Sequence, residues 1–243
     1  MTIKAAAFST KGIRPHNEDS FLLNSQIGGT GTEDSMAFIE NLSEGVFVVA
    51  DGMGGHAAGD VASNFVVSEF LQSINSVPEI NADFFNATMS QLHQRLLAKG
   101  KNEGTANMGS TFVSLVIKND ECGFCNIGDS RLYRYRNGFI QQLSHDDSLS
   151  EIIPDAPKNI VTNAMGAGLS DVEIETRFSA SFAVAGDKFV LCSDGVHGHV
   201  SDDEMEQILQ EKFSLVEKTR SLVEKALENG SDDNSTAIII ELE

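Results

Sequence analysis

The sequence predicts an α+β protein built on antiparallel sheets with helices against their outer faces. Three observations carry that expectation. Strand-like and helix-like runs arrive in blocks rather than in alternation, which favours antiparallel sheets over a doubly wound parallel one. Consecutive strand runs are joined by the turn signals Asn119-Asp120 and Asn137-Gly138, and a two-residue turn returns the chain antiparallel. No Pro/Ser-rich linker or charge block interrupts the 243 residues, so one domain spanning residues 1–243 is expected.

In chain order, residues 4–10, 20–24, 35–40 and 45–50 read as strands. Residues 59–74 and 82–100 place apolar side chains three and four apart and read as helices. A Gly/Asn-rich loop over 101–109 leads into residues 110–144, read as four strands in a meander. Strands are expected at 171–180 and 187–193, helices at 202–213 and 215–230, and a last strand at 235–243.

Composition narrows the function. Seventeen Lys+Arg against 36 Asp+Glu leave a formal net charge of −19, which repels nucleic acid and anionic lipid. No stretch approaches the ~18 apolar residues of a membrane span, and the start MTIKAAAFST lacks the length and cleavage pattern of a signal peptide. Three cysteines are too few for a disulfide framework, and an odd number suits a reducing compartment. The expectation is a cytoplasmic monomer. Cys122 and Cys125 have zinc-like spacing but no second half, and in an alternating strand, positions three apart point to opposite faces.

Acidic residues recur beside glycines where apolar runs end. Asp51 follows VFVVA and precedes Gly52; Asp194 follows KFVLCS and precedes Gly195; Asp129 ends CGFCNIG; Asp232 and Asp233 precede Asn234 at the entrance to the last strand. A single Asp-Gly reads as a turn. Repeated oxygen donors without a His/Cys framework suit hard cations such as Mg²⁺ or Mn²⁺, and a glycine there allows close backbone approach and offers its carbonyl as a further ligand.

The segments GIRPHNEDS (12–20), VVADGMGGHAAGDVAS (48–63), MGSTFVSLVI (108–117), NIGDSRLYRYRNG (126–138), GDKFVLCSDGVHGHVSDDEM (186–205) and SDDNSTAIII (231–240) together resemble the ordered motifs of the metal-dependent protein serine/threonine phosphatases of type 2C, in their compact bacterial form. The resemblance implies a four-layer sandwich, two antiparallel β-sheets flanked by α-helix pairs, with a centre for two Mn²⁺ or Mg²⁺ ions and a weaker third. Carried over by position, Asp51 would bridge two ions, the Gly52 carbonyl would complete the first, and Asp194 and Asp233 would bind the second. Asp129 with Asp194 would match the third, Glu18 and Asp19 would hold waters of the metal site, with Asn234 beside them, and Arg14 would grip the substrate phosphate.

The chemistry agrees with that assignment. Phosphate-monoester hydrolysis is extremely slow uncatalysed, and two metals about 3.5–4 Å apart acidify a water and neutralise phosphoryl oxygens, so no Cys or Ser nucleophile is needed. Arg14 supplies a planar fork that fits phosphate bidentately. The implied function is hydrolysis of phosphoserine and phosphothreonine in protein substrates, reversing a cognate Ser/Thr kinase. A dedicated phosphatase of one signalling partner and a non-catalytic binding module of the same fold are the rivals.

Met53 stands where eukaryotic members often carry His. His56 reads either as a proton donor to the leaving group or as a cap of the following helix. His16 and His145 read as surface loop residues; His197 and His199 match no motif, and their alternation suggests exposure on one face. The segment corresponding to the family's mobile flap, 149–161, is short, and Pro154 and Pro157 disfavour a helix through it. A small loop and an open cleft with weak preference for peptide sequence are expected.

Overall fold

The computed structural model describes residues 1–54, 58–74, 81–153, 155–157, 160–169 and 176–243. One sheet has six strands in the order β10 (Phe139–Gln142), β9 (Arg131–Arg136), β13 (Lys188–Cys192), β14 (Ser235–Leu242), β1 (Ile3–Thr10) and β4 (Ser35–Leu42). The other runs β11 (Met165–Gly166), β6 (Gly109–Ser110), β5 (Gly45–Met53), β7 (Phe112–Lys118), β8 (Glu121–Ile127) and β12 (Arg177–Phe182), with β2 (Asp19–Leu23) also paired to β5 and β3 (Gln26–Gly28) beyond it. The described strand pairings are antiparallel. Helices α1 (Gly59–Ile74) and α2 (Ala82–Glu103) cover the second sheet, and α5 (Asp202–Gln210) and α6 (Leu215–Glu228) cover the first.

The central strands are buried on both faces, which explains their unbroken apolar runs. Along β14, Ile238 and Ile240 enter the layer between the sheets while Ala237 and Ile239 face the helices. Phe47 and Val49 of β5 enter the same middle layer, and Val48 and Ala50 pack toward α1 and α2. The period of two thus sorts alternate residues of one strand into different cores. Cys122 and Cys125 follow it, one in the middle layer and one under the helices. Ser201 and Ser214 start α5 and α6 with reciprocal capping boxes to Glu204 and Glu217, and Asn81 caps α2 through Phe84 N.

Several expectations need correction. The four strands over 110–144 are not one meander: β7 and β8 pair within the eight-stranded sheet, whereas β9 pairs with β10 and β13 in the other. The turn signals themselves hold, with Asn119, Asp120, Asn137 and Gly138 all at positive φ. Helix α2 runs past Gly100 to Glu103, and α5 stops at Gln210. Of the strand expected at 171–180, residues 171–175 lie outside the described residues, and β12 begins at Arg177. The flap segment contains one helical turn, α3 (Leu149–Ile152), just ahead of Pro154, which lies outside the described residues. The stretch 194–199 is not an alternating strand but begins with the short helix α4 (Asp194–His197).

Candidate metal centre

The chain folds its aspartates onto one end of both sheets. Asp19 opens β2 directly opposite Asp51 of β5, although like charges across a ladder destabilise it. Asp129 lies in the turn between β8 and β9, Asp194 begins α4 after β13, and Asp233 precedes β14. Arg14, His16, Glu18, Asp51, Gly52, Asp129, Asp194, Asp233, Asn234, Ile160 and Val161 line a shared cleft of about 1050 Å³.

Its electrostatics are those of crowded anions. Burial, then the neighbouring Asp19 and Asp194, hold the Asp51 carboxyl well above its ordinary range. Burial pushes Asp129 up to about 7, with Asp194 adding to it. Asp194 is raised by burial and then by Asp233. Asp19 is fully buried and raised to about 7, chiefly by burial and against hydrogen bonds that favour its anion. Its Oδ2 accepts from Ser193 Oγ at 2.8 Å, while Oδ1 has no partner among the described residues. A buried unpaired carboxylate oxygen is costly. Among the described residues no three His, Cys, Asp or Glu side chains close around a single point; the donors line an open cleft instead. An all-oxygen, strongly anionic set of this kind fits hard divalent cations.

The backbone between these carboxylates is held tightly. The Asp51 N–H donates to Thr111 Oγ1 at 2.9 Å, and Thr111 Oγ1 pairs with Ser130 Oγ at 2.7 Å, joining β5 to the Asp129 turn. Asn234 accepts from Glu18 N at 2.8 Å and donates to the Lys11 and His16 carbonyls, docking the 11–18 loop on the start of β14. Gly52 is required less for approach to a ligand than for approach of chain to chain, because a Cβ there would strike the carbonyls of Gly59 and Glu18. Gly195 presses in the same way on the Asn234 carbonyl. Glu18 lies against Gly59, its carboxyl raised by burial and then by Asp60.

Arg14 reaches the rim of the cleft. Its Nε donates to the Asp232 carbonyl at 2.7 Å and its Nη2 to Asp233 Oδ2 at 3.0 Å. Both partners are nearly half exposed, so the pair is worth about 0–1 kcal/mol and is readily exchanged. His16 and His145 are exposed, as expected. His56 lies outside the described residues.

Two side chains without an expected role also serve this region. Asp147 accepts at Oδ2 from Gly128 N and Asn163 Nδ2 and at Oδ1 from Arg177 Nε, joining the Asp129 turn to the end of the flap and to β12. His197, expected to be exposed, is instead turned inward, with Nε2 3.0 Å from the Asp129 carbonyl. Burial and then Arg131 push its imidazole down to about 3, so it is neutral. Nothing in the spacing of DGVHGHV reveals this, because the acceptor lies 68 residues away in sequence.

The chain is similar to known proteins over nearly its whole length. A family model described as Protein phosphatase 2C matches residues 26–229. The serine/threonine phosphatase stp of Listeria monocytogenes serotype 4b (strain F2365) is 32% identical over 248 aligned residues, covering 94% of this chain and 91% of that protein. The crystal structure of the Mycobacterium tuberculosis serine/threonine phosphatase PstP/Ppp superposes with a TM-score of 0.83 at 28% identity, covering 100% of both chains. A structure of the catalytic domain of the serine threonine protein phosphatase PstP in complex with 2 manganese ions superposes with a TM-score of 0.81 at 28% identity, covering 100% of this chain and 99% of that one.

Proposed function

Because the chain belongs to the protein phosphatase 2C family, and is accordingly a metal-dependent serine/threonine protein phosphatase, we propose how its own residues divide the work. The observation that carries the proposal is the convergence of Asp51, Asp129, Asp194 and Asp233 on one cleft, with Asp19 buried opposite Asp51; burial and neighbouring carboxylates hold Asp19, Asp51, Asp129 and Asp194 above their ordinary pKa. Asp51, the Gly52 carbonyl, Asp194 and Asp233 would hold two Mn²⁺ or Mg²⁺ ions, and Asp129 with Asp194 a weaker third. Glu18, Asp19 and Asn234 would orient waters and loops around them. When bound, such ions supply charge neutralisation at phosphoryl oxygens and a water acidified enough to attack phosphorus.

Arg14 would hold the phosphate at the rim, exchanging its pairing with Asp233 for two parallel N–H···O bonds to phosphoryl oxygens. The serine or threonine oxygen leaves as its bond to phosphorus breaks and must take a proton. His56 is the candidate donor, because an imidazole titrates near neutrality. We further place the protein as a single-domain, monomeric cytoplasmic enzyme opposing a Ser/Thr kinase. The three free, buried thiols support a reducing compartment, and the net charge of −19 disfavours nucleic-acid and anionic-membrane partners. No described helix is long and apolar enough to cross a membrane.

The test is hydrolysis of a phosphothreonine peptide with Mn²⁺, then with excess EDTA. Activity should vanish on chelation, and Asp194→Asn should abolish it while leaving the circular dichroism spectrum and a cooperative melting transition, so that the loss is not one of folding. Robust turnover in EDTA would sink the assignment.

A further inference from the structure

His197 is inward-facing and has no part in the site as assigned above. Its Nε2 lies 3.0 Å from the Asp129 carbonyl; a carbonyl can only accept, so the ring proton sits on Nε2. His197 follows Asp194 by three residues in α4, and helical spacing puts both on one side of that turn. Arg131 lies close to the imidazole. Its guanidinium is fixed by a fork to Asp146, at 3.0 and 2.6 Å, and by Tyr133 Oη at 2.9 Å. Such packing restricts where the ring can go. The 128–130 turn is also held by Asp147, which accepts from Gly128 N and donates its own N–H to the Gly128 carbonyl, by Asn126 Nδ2 at that carbonyl, and by Thr111 at Ser130 Oγ. None of these refers Asp129 to α4.

We propose that His197 is a positioning residue for the metal centre: by tying the Asp129 carbonyl to the helical turn that begins with Asp194, it sets the separation of the two carboxylates that would share the weaker ion. This rests on the reading of Asp129 given above. Residues that orient ligands without touching the ion typically alter metal affinity by about 10- to 100-fold when replaced, and His197 acts on ligand geometry through an N–H donated to backbone.

The test is calorimetric titration of the metal-free protein with Mn²⁺ alone, with free Mn²⁺ counted by electron paramagnetic resonance. The parent protein should show two tighter binding events and one weaker. His197→Met, of similar length but without a donor, should weaken the weaker event by about 10- to 100-fold and leave the tighter two unchanged. His197→Gln, whose amide N–H reaches a similar distance, should restore it; His197→Asn, with a shorter amide, should not. In the Asp129→Asn background His197→Met should cost nothing further. Retention of the weaker event in His197→Met, or in His197→Asn should His197→Met not fold, overturns the inference, as does failure of His197→Gln to restore it. Absence of a third event in the parent protein removes the Asp129 reading itself, a result seen before any His197 variant is made.

Discussion

Arg14 shows how one side chain can serve two partners. In the structure it bonds Asp233 and the Asp232 carbonyl at the mouth of the cleft, an arrangement weak enough for a phosphate to displace. A guanidinium that holds phosphate in both the ground and transition states contributes uniform binding. Arg14→Ala should therefore lower kcat/KM by roughly 10- to 150-fold, from a charged hydrogen-bond loss of about 1.5–3 kcal/mol, with most of the change in KM. Steady-state kinetics on a phosphothreonine peptide decide it, and an unchanged KM would place Arg14 outside the substrate contacts.

At the scale of elements, the end of the flap is fastened to α2 by a histidine. Gly166 N donates to His93 Nδ1 at 3.1 Å, and Nε2 meets the Leu169 carbonyl at 3.3 Å. One ring nitrogen accepts and the other donates, so the neutral imidazole fits and the cation does not. Burial lowers the His93 pKa below its ordinary 6.5. Above pH 6.5 neither the folded nor the unfolded state carries that proton. Below it the unfolded chain takes up a proton that the folded one refuses, so stability falls as pH falls. Urea midpoints of the parent and His93→Gln, compared from pH 8 to pH 5, should converge or cross toward acid; a constant difference would show that His93 does not titrate in this way. Among its described residues the flap holds one helical turn, a bridge joins Ser148 to Val161, and Ile160 and Val161 stand at the cleft wall. So small a loop offers few contacts beyond the phosphorylated residue. Phosphothreonine peptides with different flanks should then spread by less than about 100-fold in kcat/KM, about 2.7 kcal/mol. A wider spread would mean another surface reads the sequence.

For the whole molecule, the clustered carboxylates make the metal-free fold a strained one, since like charges are packed at the ends of both sheets. Ions that bind only the folded state stabilise it by about 2.7 kcal/mol at a hundredfold excess over Kd, and a chain of this size gains about 2–4 °C per kcal/mol. Mn²⁺ should raise Tm by roughly 5–10 °C. Asp19 and Asp129, raised to about 7, bind protons that ions must displace at pH 6 but largely not at pH 8, so the gain should be larger at pH 8. Scanning calorimetry at both values, with Mn²⁺ and with EDTA, checks this; an equal gain would mean these carboxyls do not compete for the ions.

Local chemistry was legible in the sequence and long-range closure was not. Helix α1 starts at Gly59 and ends at Ile74 as its apolar spacing requires, the Asn119-Asp120 and Asn137-Gly138 turns adopt the positive φ their residues tolerate, and β14 announces a doubly buried strand by its run of isoleucines. These features depend on neighbours within a few positions, where propensity and periodicity act. The pairing of β9 with β13 rather than with β8, the Asp147 junction and the His197 contact to Asp129 instead join residues far apart in sequence. Each was decided by which surfaces met when both sheets closed on a common core, and periodicity says which face of a strand is apolar without saying which partner covers it.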